Sequence, residues 1–188
     1  MKSITYELAW AGIGSRVMDN PQWMSMKSTT SLPEEPLLLG IPLPDPAAEI
    51  LKDILKVAGL VSATVTSAHR TPADQARVMY ENCVSKGAAY NEALYCVAGD
   101  RVVDVFAANH DQPRDTVIQL MTEKILEIGP EHISMHMSDT HYTFDVAPSS
   151  IPVAKHAAFV AAVLGNKAVS KLIQPPKDPA FHVEIPKA

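Results

Sequence analysis

The sequence predicts an α+β fold in which helices flank a small antiparallel sheet, and three observations lead to that prediction. First, the 188-residue chain is 47% hydrophobic and 20% charged, which is the composition of a globular domain with a hydrophobic core. Second, segments whose apolar residues have helical spacing are interspersed with short β-branched segments. Third, two strand-like segments follow one another late in the chain without a helix between them, which favours antiparallel pairing.

Four segments carry the signals of helices. In the first, apolar residues at helical spacing begin after Asp45, with Pro46 in the first turn and Gly59 after the last residue. The second opens at Thr71 and ends before Gly87, the third is long and amphipathic, and the fourth is rich in alanine. The predicted helices cover residues 45–58, 71–86, 111–128 and 151–164.

Short strands are predicted where β-branched and aromatic residues alternate with other residues. The first is Val61–Thr66, and three more cover residues 142–146, 168–174 and 181–185. Residues 101–106 read RVVDVF, which fits either a strand or the end of a helix. Helices and strands are thus mixed along the chain, with adjacent strands near its end.

Residues 1–45 differ in character from the rest of the chain. Residues 1–32 show no clean periodicity, and residues 33–46 contain five prolines, which fix φ and remove backbone donors. We therefore predict an N-terminal arm with a stiff, extended Pro-rich connector over residues 1–45, and a domain over residues 46–188. The arm is expected to lie on the domain or on another subunit. In the second case, residues 1–45 would mediate self-association of the protein.

Charge and hydropathy argue against several classes of function. The net charge is −5, and no block or stripe of Lys and Arg is present, so nucleic acid is not an expected partner. No stretch approaches the roughly 18 apolar residues of a membrane helix, so membrane insertion is not expected. The first residues lack the apolar core of a signal peptide, and we expect synthesis in the cytoplasm.

Three segments hold an unusual share of side chains that can bind metal. They are Ser134-Met135-His136 with the later His141 and Asp145, Phe181-His182-Val183-Glu184, and Ser67–Thr71 at the end of a predicted strand. Two imidazoles, one carboxylate and a water form the open tetrahedral site of a catalytic zinc ion. Such a site also needs an acid or base that is not a ligand, for which Asp178 and Glu184 are candidates, and it gains from a cation such as Arg70.

These segments, in this order, resemble the zinc peptidases that cut the stem peptides of peptidoglycan. That family includes D-alanyl-D-alanine carboxypeptidases and dipeptidases and phage L-alanyl-D-glutamate endolysins, and it shares its fold with the Hedgehog signalling domain. Three motifs of the family have counterparts here. The motif Ser-Gly-Tyr-Arg-Ser with a following Gln corresponds to Ser67–Thr71 with Gln75. Ser-x-His with a following Asp corresponds to Ser134-x-His136 with Asp145, and the His-x-Glu of the last strand corresponds to His182-x-Glu184. The resemblance covers residues 48–186.

The resemblance implies a zinc ion bound by His136, Asp145 and His182. His136 and Asp145 stand two residues further apart than is usual in the family, which makes His141 a rival for the first ligand position. His141 precedes Asp145 by four residues, and in an extended strand their Cβ atoms would be about 13 Å apart. Because that distance is too long for two ligands of one ion, we favour His136.

The resemblance also implies roles for polar residues around the metal. Arg70, helped by Gln75 and Ser134, would hold a substrate carboxylate or carbonyl, because its planar guanidinium forms paired hydrogen bonds with such groups. The family often places its catalytic acid three residues before the last histidine, where this chain has a proline. Asp178 lies one residue further back, and Glu184 stands where other branches carry an acid. We rank Asp178 slightly above Glu184, whose alternative role is to orient a ligand.

The resulting hypothesis is a zinc-dependent peptidase that hydrolyses an amide bond in the stem peptide of bacterial peptidoglycan, as a carboxypeptidase or an endolysin. Such a protein without a signal peptide would act on the cell wall after release, or as a component of a virion. The alternative is a non-catalytic structural or binding domain of a phage particle on the same fold. Residues 1–45 favour this alternative somewhat, because a Pro- and Met-rich arm suits contacts with another subunit or a virion.

Overall fold

Across residues 35–187, which the computed structural model describes, the chain forms seven α-helices and a five-stranded sheet. The predicted arm over residues 1–32 lies outside this range. The helices are α1 (Asp45–Ala58), α2 (Pro72–Lys86), α3 (Ala88–Leu94), α4 (Val97–Asn109), α5 (Arg114–Ile128), α6 (Pro130–Ile133) and α7 (His156–Gly165). The strands are β1 (Leu37–Gly40), β2 (Ser62–Ser67), β3 (His141–Val146), β4 (Lys171–Ile173) and β5 (Phe181–Pro186). The α+β class predicted from the sequence is confirmed.

The sheet is mixed, and the prediction of a purely antiparallel sheet is wrong at one edge. Its strand order is β1-β2-β3-β5-β4, with β1 parallel to β2 and the other pairs antiparallel. The first strand lies within the predicted Pro-rich connector, but residues 37–40 contain no proline and keep their backbone donors. Gly40 ends β1 with φ of 85°, and a Cβ there would overlap the carbonyl oxygen of Val65. Residues 37–40 of the predicted connector therefore form an edge strand of the sheet.

Local signals locate the first two predicted helices well. Helix α1 has the predicted bounds, and its C-terminal Gly59 adopts the left-handed conformation that ends a helix. Helix α2 begins after Thr71, whose hydroxyl accepts a hydrogen bond from the amide of Asp74 in a capping box. The third predicted helix is confirmed as α5, although it starts at Arg114 and not at residue 111.

Other elements depart from their predictions. Residues 101–106, left open between strand and helix, lie in α4, where Val102 and Val103 are buried. Residues 153–155 form a short 3₁₀ turn before α7 begins at His156, whereas the helix was predicted from residue 151, and β4 covers only three residues. Helices α3 and α6 were not predicted, because each is too short to show a hydrophobic period.

Two hydrophobic clusters support the fold. The first lies between one face of the sheet and helices α1 and α7, and includes Leu51, Phe144 and Phe181. The second joins α2, α4, α5 and α6, and includes Met79 and Met121. Among the described residues, no helix combines the length and apolar character needed to cross a bilayer.

A β-bulge at the end of β2 turns one side chain toward the opposite face of the sheet. Val65 pairs with Val146, but Ser67 pairs with Asp145, so β2 holds one extra residue there. Strict alternation would place Ser67 in the first cluster beside Val65. The bulge places it next to Asp145, on the face that carries the polar residues.

We expect Leu51→Ala to lower the free energy of unfolding by about 2–5 kcal/mol, because the side chain is completely buried in the first cluster and its loss leaves a cavity. Val57→Ala on the same helix is the matched control, since Val57 is 78% exposed, and it should change stability by less than about 0.5 kcal/mol. Urea unfolding followed by circular dichroism measures both. Equal transitions for the two variants would contradict this assignment of the core.

Candidate metal centre

The centre of the site is a cross-strand pair on the polar face of the sheet. Asp145 on β3 lies directly opposite His182 on β5 in the antiparallel register, and side chains so placed are close enough to bond. The Nδ1 atom of His182 is 2.9 Å from Oδ1 of Asp145. The residues on either side of each one face the first hydrophobic cluster: Phe144 and Val146 on β3, and Phe181 and Val183 on β5. Asp145 and His182 therefore lie on the opposite face of the sheet.

His136 reaches the same carboxylate from a 3₁₀ turn that precedes β3. Two hydrogen bonds fix the turn: the amide of Arg70 donates to the carbonyl of His136 at 2.8 Å, and the amide of His136 donates to the hydroxyl of Ser134 at 3.3 Å. The Nδ1 atom of His136 lies 2.8 Å from the carbonyl oxygen of Ala68. Because a carbonyl only accepts, Nδ1 carries the proton and Nε2 is the free ligand atom.

Counting protons at these contacts shows that the cluster requires additional positive charge. Nε2 of His136 lies 3.1 Å from Oδ2 of Asp145, and in a neutral imidazole both atoms would present only lone pairs. His182 has acceptors on both sides, Asp145 at Nδ1 and Glu184 at Nε2, at 2.9 and 3.3 Å. Either extra protons or a cation must therefore lie between these atoms.

The three side chains His136, Asp145 and His182 offer ligand atoms that lie within 4.8 Å of one another. They are buried, with relative exposures of 4% for His136 and 7% for His182. Two imidazole nitrogens and a carboxylate oxygen are a ligand set that metal ions use. The cluster can hold a metal ion, and one divalent ion would replace the protons that the contacts otherwise require.

Glu184 contacts Nε2 of His182, the ring nitrogen that faces away from Asp145. The side chain of Glu184 is buried on the same face of β5, and its Oε1 lies 3.3 Å from Nε2 of His182. Lys171 on β4 donates a hydrogen bond to the same oxygen at 3.0 Å. A carboxylate that accepts from the free nitrogen of a ligand histidine fixes the orientation and proton of that ring. The geometry therefore places Glu184 where it orients His182.

Arg70 lies between the cluster and the start of α2. Its NH2 atom is 3.7 Å from Oδ2 of Asp145, and its NH1 atom donates to Oε1 of Gln75 at 3.0 Å. Gln75 is completely buried, so it positions the guanidinium and does not itself line the cavity. Gln75 would therefore affect substrate binding only by positioning Arg70.

A cavity of about 370 Å³ opens onto the cluster. Predicted site residues in its wall are Arg70, Ser134, His136, Asp145, Asp178, His182 and Glu184. Oδ1 of Asp178 accepts a hydrogen bond from the amide of Ala180 at 2.8 Å, whereas Oδ2 has no hydrogen-bond partner among the described residues. Burial raises the pKa of the Asp178 carboxyl.

His141 lies apart from the cluster. It starts β3 opposite Pro186, and its Nδ1 atom is 2.9 Å from the hydroxyl of Thr140. With His69 it lines a different cavity, of about 320 Å³. The structure thus brings His136 and not His141 to Asp145. This agrees with the prediction from the sequence, which placed His141 too far from Asp145 along an extended strand.

Among the polar residues of the cavity wall that the sequence did not indicate, two lie close to the predicted site residues. Lys171 lies in the short strand β4, and Tyr95 lies at the end of the unpredicted helix α3. Tyr95 accepts a hydrogen bond from Nε2 of Gln75 at 2.7 Å. No motif marks either residue, since each reaches the site only through the packing of distant segments.

The charges of the cluster are strongly coupled. Burial alone would raise the pKa of the Asp145 carboxyl, but hydrogen bonds from His136 and His182 outweigh it and hold that pKa well below its usual range. For His182, burial favours the neutral ring, but the hydrogen bond and charge of Asp145 dominate and raise its pKa. In the metal-free protein the two groups therefore stabilise each other as an ion pair.

Comparison with family models, with curated proteins and with solved structures finds no match to this chain.

The raised pKa of His182 predicts how the stability of the metal-free protein depends on pH. Its contribution is fully present below the unfolded pKa, about 6.5, and is lost as the pH rises through the folded pKa. In chelator-treated protein, we expect the stability difference between wild type and His182→Gln to be larger at pH 5.5 than at pH 9. Urea titrations at both pH values measure it.

The control for this prediction is the same substitution in an Asp145→Asn background. There the pH dependence should shrink, because the group that raises the pKa of His182 is gone. A stability difference that grows between pH 5.5 and pH 9 would contradict the ion pair.

Proposed function

We propose that this protein is a zinc-dependent peptidase that hydrolyses an amide bond in the stem peptide of bacterial peptidoglycan, on a Hedgehog-type peptidase fold. The observation that carries the proposal is the buried cluster of His136, Asp145 and His182, whose ligand atoms face one another and need either extra protons or a cation between them. The same three residues are the ones that the sequence motifs of the zinc peptidases select.

Zinc is the metal that this ligand set favours. Two histidines and one carboxylate leave a tetrahedral ion one open position, which is typical of catalytic and not of structural zinc. The carbonyl of Ala68 and the carboxylate of Glu184 accept from the outer nitrogens of the two histidines, as the partners of zinc-bound histidines do. A bound zinc ion would supply Lewis-acid polarisation of the scissile carbonyl and increased acidity of water.

Asp178 is the better candidate for the proton carrier. Glu184 already accepts hydrogen bonds from the side chains of Lys171 and His182, whereas Asp178 accepts only from the backbone amide of Ala180 among the described residues. A raised pKa brings the Asp178 carboxyl closer to the neutral range in which a general base works well. Asp178 would remove a proton from the attacking water and deliver it to the leaving nitrogen of the amide.

The cavity suits an extended peptide. From Arg70 it continues along α2, where Val78, Asn82 and Lys86 line it at intervals of four residues. Eight helical residues span about 12 Å, which is the length of three to four extended peptide residues. Arg70, held by Gln75, would bind a carboxylate or carbonyl of the peptide close to the cluster.

Metal content tests the first part of the proposal. Purified protein, stripped with chelator and reloaded, should retain about one zinc ion per chain by mass spectrometry, and His182→Ala should retain none. His141→Ala is the matched control and should bind as wild type, because His141 lies outside the cluster. Absence of zinc in the wild type, or its loss in His141→Ala, would contradict the proposed site.

Hydrolysis tests the second part. With purified muropeptides analysed by mass spectrometry, Asp178→Asn should lower kcat by about 10²- to 10⁴-fold and keep its zinc. Glu184→Gln should weaken zinc affinity by about 10- to 100-fold and recover much of its activity at saturating zinc. Asp139→Asn, an exposed residue outside the cavity, is the control.

Two outcomes of these assays would change the proposal. If Asp178→Asn keeps full activity while Glu184→Gln loses it at saturating zinc, the two roles are exchanged. If wild type binds zinc but cleaves no muropeptide, the protein is a non-catalytic domain on this fold, which is the alternative function.

A further inference from the structure

A chain of hydrogen bonds makes the hydroxyl oxygen of Tyr95 an acceptor toward Gln75. Arginine only donates, so Oε1 of Gln75 must accept from Arg70, and the amide nitrogen of Gln75 must face the other way. That nitrogen donates to the oxygen of Tyr95 at 2.7 Å. The oxygen of Tyr95 is therefore the acceptor in this contact, and its own proton is left for another partner.

Among residues 35–187, no group accepts that proton. Tyr95 lines the cavity that also contains the metal cluster and Asp178, so the residue that carries the free O–H donor belongs to a wall of the candidate active site. The hydroxyl is two hydrogen bonds away from the guanidinium of Arg70, which itself lies 3.7 Å from Asp145. Burial raises the pKa of the Tyr95 phenol, so the group remains a donor at neutral pH.

Three separate elements hold Tyr95 in place. Its amide donates to the carbonyl of Asn91 at 2.8 Å, at the end of α3. Its ring packs over Gly99 in the first turn of α4, where a Cβ would overlap the Cβ of Tyr95. Gln75 on α2 holds its hydroxyl. A phenol fixed at both ends in this way is preorganised, which is the property that stabilises charge developing in a reaction.

We propose that Tyr95 is a catalytic residue of this site, whose O–H donates a hydrogen bond to the oxygen of the scissile carbonyl as that oxygen gains negative charge. The inference rests on the proposed peptidase function and adds a donor that no sequence motif indicates. No covalent step involves Tyr95. Its proton stays on the phenol and only the hydrogen bond strengthens.

Tyr95→Phe tests the inference, because it removes the donor and keeps the ring over Gly99. With zinc-loaded enzyme and muropeptide substrate we expect kcat to fall by about 10²-fold while KM changes little. A phosphinate analogue of the scissile amide resembles the tetrahedral state, and its Kd by titration calorimetry should rise by a similar factor. Tyr80→Phe, on α2 and outside the cavity, should match wild type in all these measurements.

A merely structural role for Tyr95 gives a different pattern. If the substitution acted by releasing Gln75 and hence Arg70, the loss would appear in KM. Gly99→Ala is a second variant, since it keeps the hydroxyl but displaces the ring, and it should also lower kcat with zinc content unchanged. An active wild type with an equally active Tyr95→Phe variant, or with a loss confined to KM, would overturn this inference alone. A wild type that cleaves nothing would overturn the peptidase proposal together with it.

Discussion

The site depends on one contact, the cross-strand pair of Asp145 and His182. A carboxylate removed from water is unfavourable unless its oxygens are paired, and here each oxygen of Asp145 faces an imidazole nitrogen, from His182 on one side and His136 on the other. Glu184, also buried, adds another negative charge against the far nitrogen of His182. The surrounding positive charges are Arg70 and Lys171, and they do not lie between the ligand atoms. This concentration of acceptors around two histidines explains why a cation fits the cluster.

The two hydrophobic clusters contribute different parts of the site. The first cluster fixes the sheet, and with it the register that sets Asp145 against His182. The second cluster fixes the helices around Tyr95, which lines the cavity after α3, and Gln75 on α2, which lies behind it. Ligands therefore come from strands and an adjoining turn, whereas the groups proposed to contact substrate come largely from helix ends. Rigid elements on both sides keep the groups of the site in a fixed geometry, which is what preorganised catalysis requires.

The proposed function joins two kinds of support that do not depend on each other. The residue types and their order in the sequence resemble those of peptidoglycan-cutting zinc peptidases, and the geometry brings three of those residues together in a cluster that could hold a metal ion. The surroundings of the two candidate carboxylates differ. Glu184 is buried and accepts from His182 and Lys171, whereas Asp178 is half-buried and accepts from the amide of Ala180. Metal binding and hydrolysis remain distinct properties, because a cluster that holds zinc performs no hydrolysis without a correctly placed proton carrier.

The sequence by itself determined the α+β class, the bounds of α1 and the start of α2, and the choice of His136, Asp145 and His182. The helix bounds depend on caps and periodicity, which are properties of neighbouring residues, whereas the three ligand candidates are what the resemblance to the zinc peptidases implies. Only the tertiary structure decided that β1 pairs parallel to β2, that a bulge turns Ser67 toward Asp145, and that Gln75 donates a hydrogen bond to the hydroxyl of Tyr95. Each of these is a contact between residues distant in sequence, and its register depends on how the two hydrophobic clusters pack. Local patterns contain no information about that packing, because the same strand or helix could present its residues to several neighbours.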